Sequence, residues 1–429
     1  MPRAPGKPQR SRRAGRTVTP QSILAEPLAL PCGSVVDNRI GKSAMSEALG
    51  TIDNRPTARL ERLYSVWADG GIGLSITGNV MIDRRALGAP GNVVVEDERD
   101  LAALQRWATA GTRDGTALWM QLNHPGKQSP RGLNRETVSP SAIPFGPALA
   151  RFFATPRALT ADEIEALVER YARAAAVAKK AGFTGVQIHG AHGYLVSQFL
   201  SPHHNQRTDR WGGTAEKRRR FVLAVYAAIR REVGARFPVG IKLNTADFHR
   251  GGFTEEESLD TVRALVEAGI DLVELSGGTY EAPAMTGVRA KDSTRRREAY
   301  FLEFAEKARA AVTVPLMVTG GFRTLAGMAD AVRSGAVDLV GLARPMAIEP
   351  DLPRRLLAGE EPRCEVRPIS TGLAAIDRTA LMEVKWYTRQ LHRIGDGAAP
   401  RPGESGLVSF ARGLLEDGWN TFKTRRLRA

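Results

Sequence analysis

Residues 160–194, TADEIEALVERYARAAAVAKKAGFTGVQIHGAHGY, hold one complete unit of an alternating fold. Thr160 and Glu163 stand three apart, the spacing of a capping box, in which each side chain satisfies the other's backbone N–H. The helix they open should stop at Gly182, a residue that tolerates left-handed backbone, after the basic pair Lys179–Lys180. Gly185-Val-Gln-Ile-His189 then reads as a strand buried on both faces, because it is short and mostly apolar. Beyond it the chain turns glycine-rich and polar.

The same unit recurs on both sides. Strand candidates are Asn38–Ser43, Gly73–Thr77, Ala117–Gln121, Val239–Leu243, Leu272–Leu275, Pro315–Val318 and Asp338–Gly341, with helical patterns between them. Thr254-Glu-Glu-Glu257 opens another helix with a capping box. Eight strands alternating with helices predict an α/β protein with a (β/α)8 TIM barrel. A doubly wound sheet competes, since counting strands does not close a sheet. Residues 122–158 carry six prolines, too many for a helix, and so form an excursion over the C-terminal face of the barrel. The predicted division is a basic N-terminal arm over 1–20, the barrel over 21–360 and a C-terminal helical extension over 361–429. That extension contains helical patterns at Leu373–His392 and Leu407–Thr421.

The chain has 429 residues and a formal charge of +15, from 61 Lys+Arg against 46 Asp+Glu. Much of that excess sits at the ends: Arg3, Lys7, Arg10, Arg12, Arg13 and Arg16, then Lys423, Arg425, Arg426 and Arg428. We read these as solvated arms rather than nucleic-acid or membrane contacts. No apolar run follows Arg12–Arg13, which argues against a secretion signal, and a cytoplasmic location is expected. Cys32 and Cys364 are the two cysteines, too few for a disulfide framework or a four-thiolate cluster. No apolar run reaches the length of a membrane span.

The densest chemistry follows the quoted strand. His189, His192 and Tyr194 lie within six residues, and two imidazoles can donate to one oxygen while a phenol waits beside it as an acid. The string continues through Gln198-Phe-Leu-Ser-Pro202 to Asn205, Arg207, Asp209 and Trp211-Gly-Gly213. His203–His204 offers a pair for a metal, but no third ligand is evident nearby, so no metal site is assigned. A second cluster reads as a phosphate cup. Gly320 and Gly321 follow the seventh strand, and Ala343 and Arg344 follow the eighth; glycines let backbone N–H groups approach phosphate, and arginine adds a charged fork. Ser276-Gly277-Gly278 would widen that cup.

His189-Gly-Ala-His192-Gly-Tyr194, Gln198-Phe-Leu-Ser-Pro202 and Asn205-x-Arg207-x-Asp209-x-x-Gly-Gly together resemble the signature of the Old Yellow Enzyme family of FMN-dependent oxidoreductases. Asn38-Arg39-Ile40 with Met45-Ser46, Gly73–Gly78 and Gln121-Leu-Asn-His124-Pro-Gly126 resemble the family's first three strands. The resemblance implies FMN over the C-terminal end of the barrel. It places Gln121 toward the flavin pyrimidine, Lys242 near N1 and O2, Ser46 near O4, and Gly78 where backbone approaches the ring. It also implies NADH or NADPH as electron donor and an α,β-unsaturated carbonyl compound as the small-molecule substrate. His189 and His192 would bind the substrate oxygen, and Tyr194 would donate the proton. A cluster-free NADH oxidase or dehydrogenase is the alternative of the same kind. From other classes, a nucleic-acid-binding protein with an inactive barrel and a metal-dependent aldolase or hydrolase remain as competitors. Whether the chain forms a homo-oligomer is left open.

Overall fold

The computed structural model describes residues 18–279, 281, 301–362, 369–372 and 380–428. The N-terminal arm up to residue 17 and Cys364 lie outside them. Eight strands form the centre: β1 (Ile40–Lys42), β2 (Leu74–Ile76), β3 (Ala117–Asn123), β4 (Gly185–Gly190), β5 (Val239–Asn244), β6 (Leu272–Ser276), β7 (Leu316–Thr319) and β8 (Leu339–Leu342). Each pairs in parallel with the next, and β8 returns to β1 through Val340 opposite Ile40. The sheet therefore closes, which rules out the doubly wound competitor.

Seven helices alternate with the strands: α1 (Ala58–Asp69), α2 (Leu101–Gly111), α3 (Ala161–Ala181), α4 (Ala215–Val233), α5 (Glu255–Glu267), α6 (Leu302–Ala311) and α7 (Leu325–Arg333). Both expected capping boxes are present, at Thr160 with Glu163 and at Thr254 with Glu257. Gly182 ends α3 with φ +94°. The barrel interior is filled by Leu74, Ile76, Trp119, Leu272, Met317 and Leu339, all fully buried. Trp119 fits because β4 and β5 carry glycine beside it: a Cβ on Gly185 would sit 2.5 Å from its ring nitrogen, and one on Gly240 2.7 Å from its ring carbon. Leu28, Leu30 and Val36, from a small antiparallel ribbon before β1, join the same cluster and stop the barrel's N-terminal mouth.

After the barrel, α8 (Ala380–Gly395) and α9 (Gly406–Arg428) follow. The first begins later than the pattern predicted among described residues, since 373–379 lie outside them, and both run further at their C-terminal ends. α8 folds back onto the C-terminal face. The proline-rich excursion also lies there, as the short ribbon Val138–Ser139 with Arg157–Ala158 and a small cluster of Phe145, Leu149 and Phe153. Among the described residues, no helix is long and apolar enough to cross a membrane.

Candidate active site

A cleft opens at the C-terminal ends of the strands, with about 1340 Å³ of non-protein space when its solvent-open mouth is included. Ser46, Gln121, His189, His192, Tyr194, Lys242, Gly320, Gly321, Ala343 and Arg344 all line it. Gly78 does not. Its Cβ position lies 1.9 Å from a carboxylate oxygen of Glu47 and 2.2 Å from the Met45 carbonyl, and its N–H donates to Glu47 Oε1 at 2.7 Å. Glycine is needed there to seat Glu47 behind the wall, and Asn79 faces the cleft instead. Gly277 and Gly278 are also turned away. The first packs beneath Phe248 and Phe301, and the second donates to the Ala246 carbonyl.

The catalytic candidates sit where β4 ends. His189 is the penultimate residue of the strand and is 4% exposed. Three residues on, the backbone turns sharply: His192 has φ +61° and Gly193 φ +78°. This left-handed pair is costly for a non-glycine residue, and Asn244 Oδ1 holds it by accepting the His192 N–H at 3.1 Å. The turn brings the two imidazoles edge to face, with ring centroids 5.4 Å apart, and sets the Tyr194 ring 4.7 Å from that of His189. Ser276 Oγ lies 2.8 Å from His192 Nε2. Burial, reinforced by His192 and Lys242, pushes the His189 pKa well below its usual value. Burial and Lys242 likewise bring His192 to about 3, against an opposing pull from Glu274. Both rings are therefore neutral at physiological pH, each with one N–H to give.

Beneath them lies a polar network that joins the expected Lys242 and Gln121 to Ser43, Gln187, Glu274 and Thr319, which were not expected at the site. Lys242 Nζ donates to Ser43 Oγ at 2.6 Å and lies 3.0 Å from Glu274 Oε1. Glu274 is fully buried and also accepts from Ser43 and Thr319 on one oxygen and from Gln187 on the other, at 2.5, 2.7 and 2.7 Å. Gln187 in turn accepts from Gln121 at 2.8 Å. Burial alone would raise the Glu274 pKa, but Lys242 and these hydroxyl and amide donors outweigh it and hold the carboxyl below its ordinary value. The clue in the sequence was a carboxylate inside an otherwise apolar buried strand, Leu272-Val-Glu-Leu275.

At the other end, Gly320 and Gly321 have φ +117° and +97°, and Arg323 joins Arg344 along the cleft. Arg344 is not alone: its Nη1 lies 3.3 Å from Glu383 Oε2 on α8. Burial raises the Glu383 pKa despite that arginine. Val384, Tyr387, Thr388 and Leu391 extend the wall along α8. Thr388 Oγ1 donates to the Ser46 carbonyl at 3.0 Å, and His392 Nε2 lies 2.8 Å from the Glu47 carbonyl. Nothing in the local pattern of residues 380–395 pointed to this docking.

The sequence profile of the NADH:flavin oxidoreductase / NADH oxidase family matches residues 24–362. The chain is 38% identical over 362 residues to the NADH-dependent flavin oxidoreductase iccE of Talaromyces variabilis, covering 79% of this chain and 87% of that protein. It is 31% identical to an NADH oxidase of Thermoanaerobacter brockii, covering 76% of this chain and 50% of that longer protein. Among solved structures, the old yellow enzyme homologue from Zymomonas mobilis superposes with a TM-score of 0.68 at 25% identity, covering 80% of this chain and 94% of the other. A closed barrel, a cleft bearing the two imidazoles and the phenol, and a profile match across most of its length establish that the chain belongs to the Old Yellow Enzyme family of NADH-dependent flavin oxidoreductases.

Proposed function

We propose that the chain reduces the activated C=C bond of α,β-unsaturated carbonyl compounds, with FMN as cofactor and NADH or NADPH as donor. The observation that carries this reading is the pair of neutral imidazoles beside a phenol at the end of β4. The donor set fits FMN: two left-handed glycines and two arginines suit a phosphate at one end, and an amide, an ammonium and hydroxyls suit a polar ring edge at the other. Gly320, Gly321, Ala343 and Arg344 hold the phosphate in this reading, and Ser46, Gln121 and Lys242 meet the ring. When bound, FMN supplies hydride exchange between the nicotinamide and the substrate β-carbon. His189 and His192 donate to the carbonyl oxygen and stabilise negative charge gathering there. Tyr194 delivers the proton to the α-carbon as a general acid. Because Lys242 shares its charge with Glu274, the residues below the ring carry less net positive charge than an isolated lysine would.

Heat-released cofactor should run as FMN on chromatography, and an enone should reoxidise the reduced protein much faster than dioxygen does. FAD in the supernatant would sink the cofactor assignment. Reoxidation by dioxygen alone would favour the NADH oxidase reading, toward which the similarity to the Thermoanaerobacter protein leans.

A further inference from the structure

Beside the cleft, four side chains from three loops converge. His203 and His204 follow the short helix Leu195–Leu200, His249 lies beyond β5, and Glu281 lies beyond β6. One ligand atom from each falls within 4.8 Å of all the others. The His203 ring centroid is 4.7 Å from those of both His204 and His249. His204 is 2% exposed, and its Nδ1, together with His249 Nε2 and Glu281 Oε2, is buried with no hydrogen-bond partner among the described residues. Burying such a group without a partner is unfavourable. His204 Nε2 lies 3.7 Å from Glu281 Oε2, beyond hydrogen-bond reach, so a cluster of four potential ligands holds three buried polar atoms that no group among the described residues satisfies.

We propose that His203, His204, His249 and Glu281 bind a transition-metal dication, with Zn²⁺ the best match. Three borderline imidazole nitrogens beside one hard carboxylate suit zinc, and the nitrogen majority disfavours calcium or magnesium. Tetrahedral zinc at about 2.1 Å from each ligand places the ligand atoms about 3.4 Å apart, so the cluster need contract only by side-chain rotation. Four protein ligands leave no open position, which makes the site structural rather than catalytic. Its effect is to tie together the loops that follow β4, β5 and β6, whose strands present His189, Lys242 and Ser276 to the cleft. A second link already joins two of those loops, since Ser201 Oγ donates to Asp247 Oδ2 at 2.6 Å.

The test uses the full-length, flavin-loaded protein, so that the cleft is filled. After treatment with a chelator it is titrated with Co²⁺ and then Zn²⁺. One equivalent of Co²⁺ should bind with the visible absorption of a tetrahedral site, and Zn²⁺ should bleach it. The double variant His204→Ala/His249→Ala should weaken binding by ~10²-fold or more, since even outer-shell partners are worth 10–100-fold. Glu281→Gln is a milder change and should weaken binding while flavin absorbance reports the intact fold. Failure of the wild-type protein to bind Co²⁺ at micromolar concentration would overturn the assignment. So would a spectrum unchanged in Glu281→Gln and in the double variant, which would move the metal to another pair such as His189–His192.

Discussion

The wall of the cleft built by β4, β5 and β6 and the wall built by α8 do their holding in different ways. His189, Lys242, Glu274 and Ser276 lie on strands clamped by neighbours on both sides, and each strand position is fixed by its ladder. Glu383, Tyr387 and Thr388 ride on a helix that follows the barrel, attached through individual side-chain contacts such as Arg344 to Glu383 and, across more than 300 residues of sequence, Thr388 to Ser46. Each wall also contains an ion pair. Lys242–Glu274 is buried, at 4% and 0% side-chain exposure, while Arg344–Glu383 keeps 20% and 12%. The rigid wall suits groups that must be placed for bond-making. The docked helix suits recognition and closure.

If that division holds, the largest effect comes from the strand wall. Tyr194→Phe should slow enone reduction by roughly 10²–10⁴ while leaving reduction of the flavin by NADH nearly unchanged, because only the enone step needs the proton. Stopped-flow measurement of the two half-reactions separates them. Equal loss in both would make the tyrosine a packing residue and dissolve the contrast.

The two ion pairs give the next comparison. Glu274→Gln leaves Lys242 buried without its counter-charge and should cost about 3–5 kcal/mol in urea unfolding. Arg344→Ala should cost less, about 1.5–3 kcal/mol, and chiefly in flavin retention. Similar unfolding losses for both would mean that α8 is as firmly built in as the barrel.

Acid tests the strand wall as a whole. The folded pKa of His192 lies near 3 and that of His189 well below its usual value, whereas both titrate near 6.5 when unfolded. Between those values the unfolded chain binds more protons, so stability should fall as pH drops below about 6.5 and keep falling toward 3. His124 and His392, each at about 4, add to the same trend. Melting temperatures measured from pH 7.5 to 4.5 should decline; a flat profile would place charged imidazoles in the cleft and undo their role as neutral donors.

The strand wall was also the legible one. Short apolar runs, capping boxes and the His-x-x-His-x-Tyr spacing are local signals, and the barrel closes around them. Glu274 left a trace, as a charge inside a buried strand. Gly78 was expected to meet the flavin ring and instead seats Glu47, a neighbour 31 residues away and behind the wall, which no local pattern announces. Glu383 and Thr388 left no local trace at all, because a helix's amphipathic pattern does not say which surface it will cover. The same holds for the four-residue cluster around His204, whose members are spread from 203 to 281 and meet only when three loops are folded together.

The smallest expected effect probes the docking of α8 directly. Thr388→Val removes one hydroxyl donor to the Ser46 carbonyl and keeps the side chain's shape, so it should cost about 0.5–1.5 kcal/mol. The cost should appear where the helix meets the loop after β1, because His392 at the Glu47 carbonyl and the Arg59–Asp396 pair hold the next turns in place. Amide hydrogen exchange should therefore quicken over residues 44–48 and 384–392, with protection in β4 and β5 unchanged. A matching loss of protection in the strands would show that the helix and the barrel open as one unit, and the two walls would then differ in sequence origin alone.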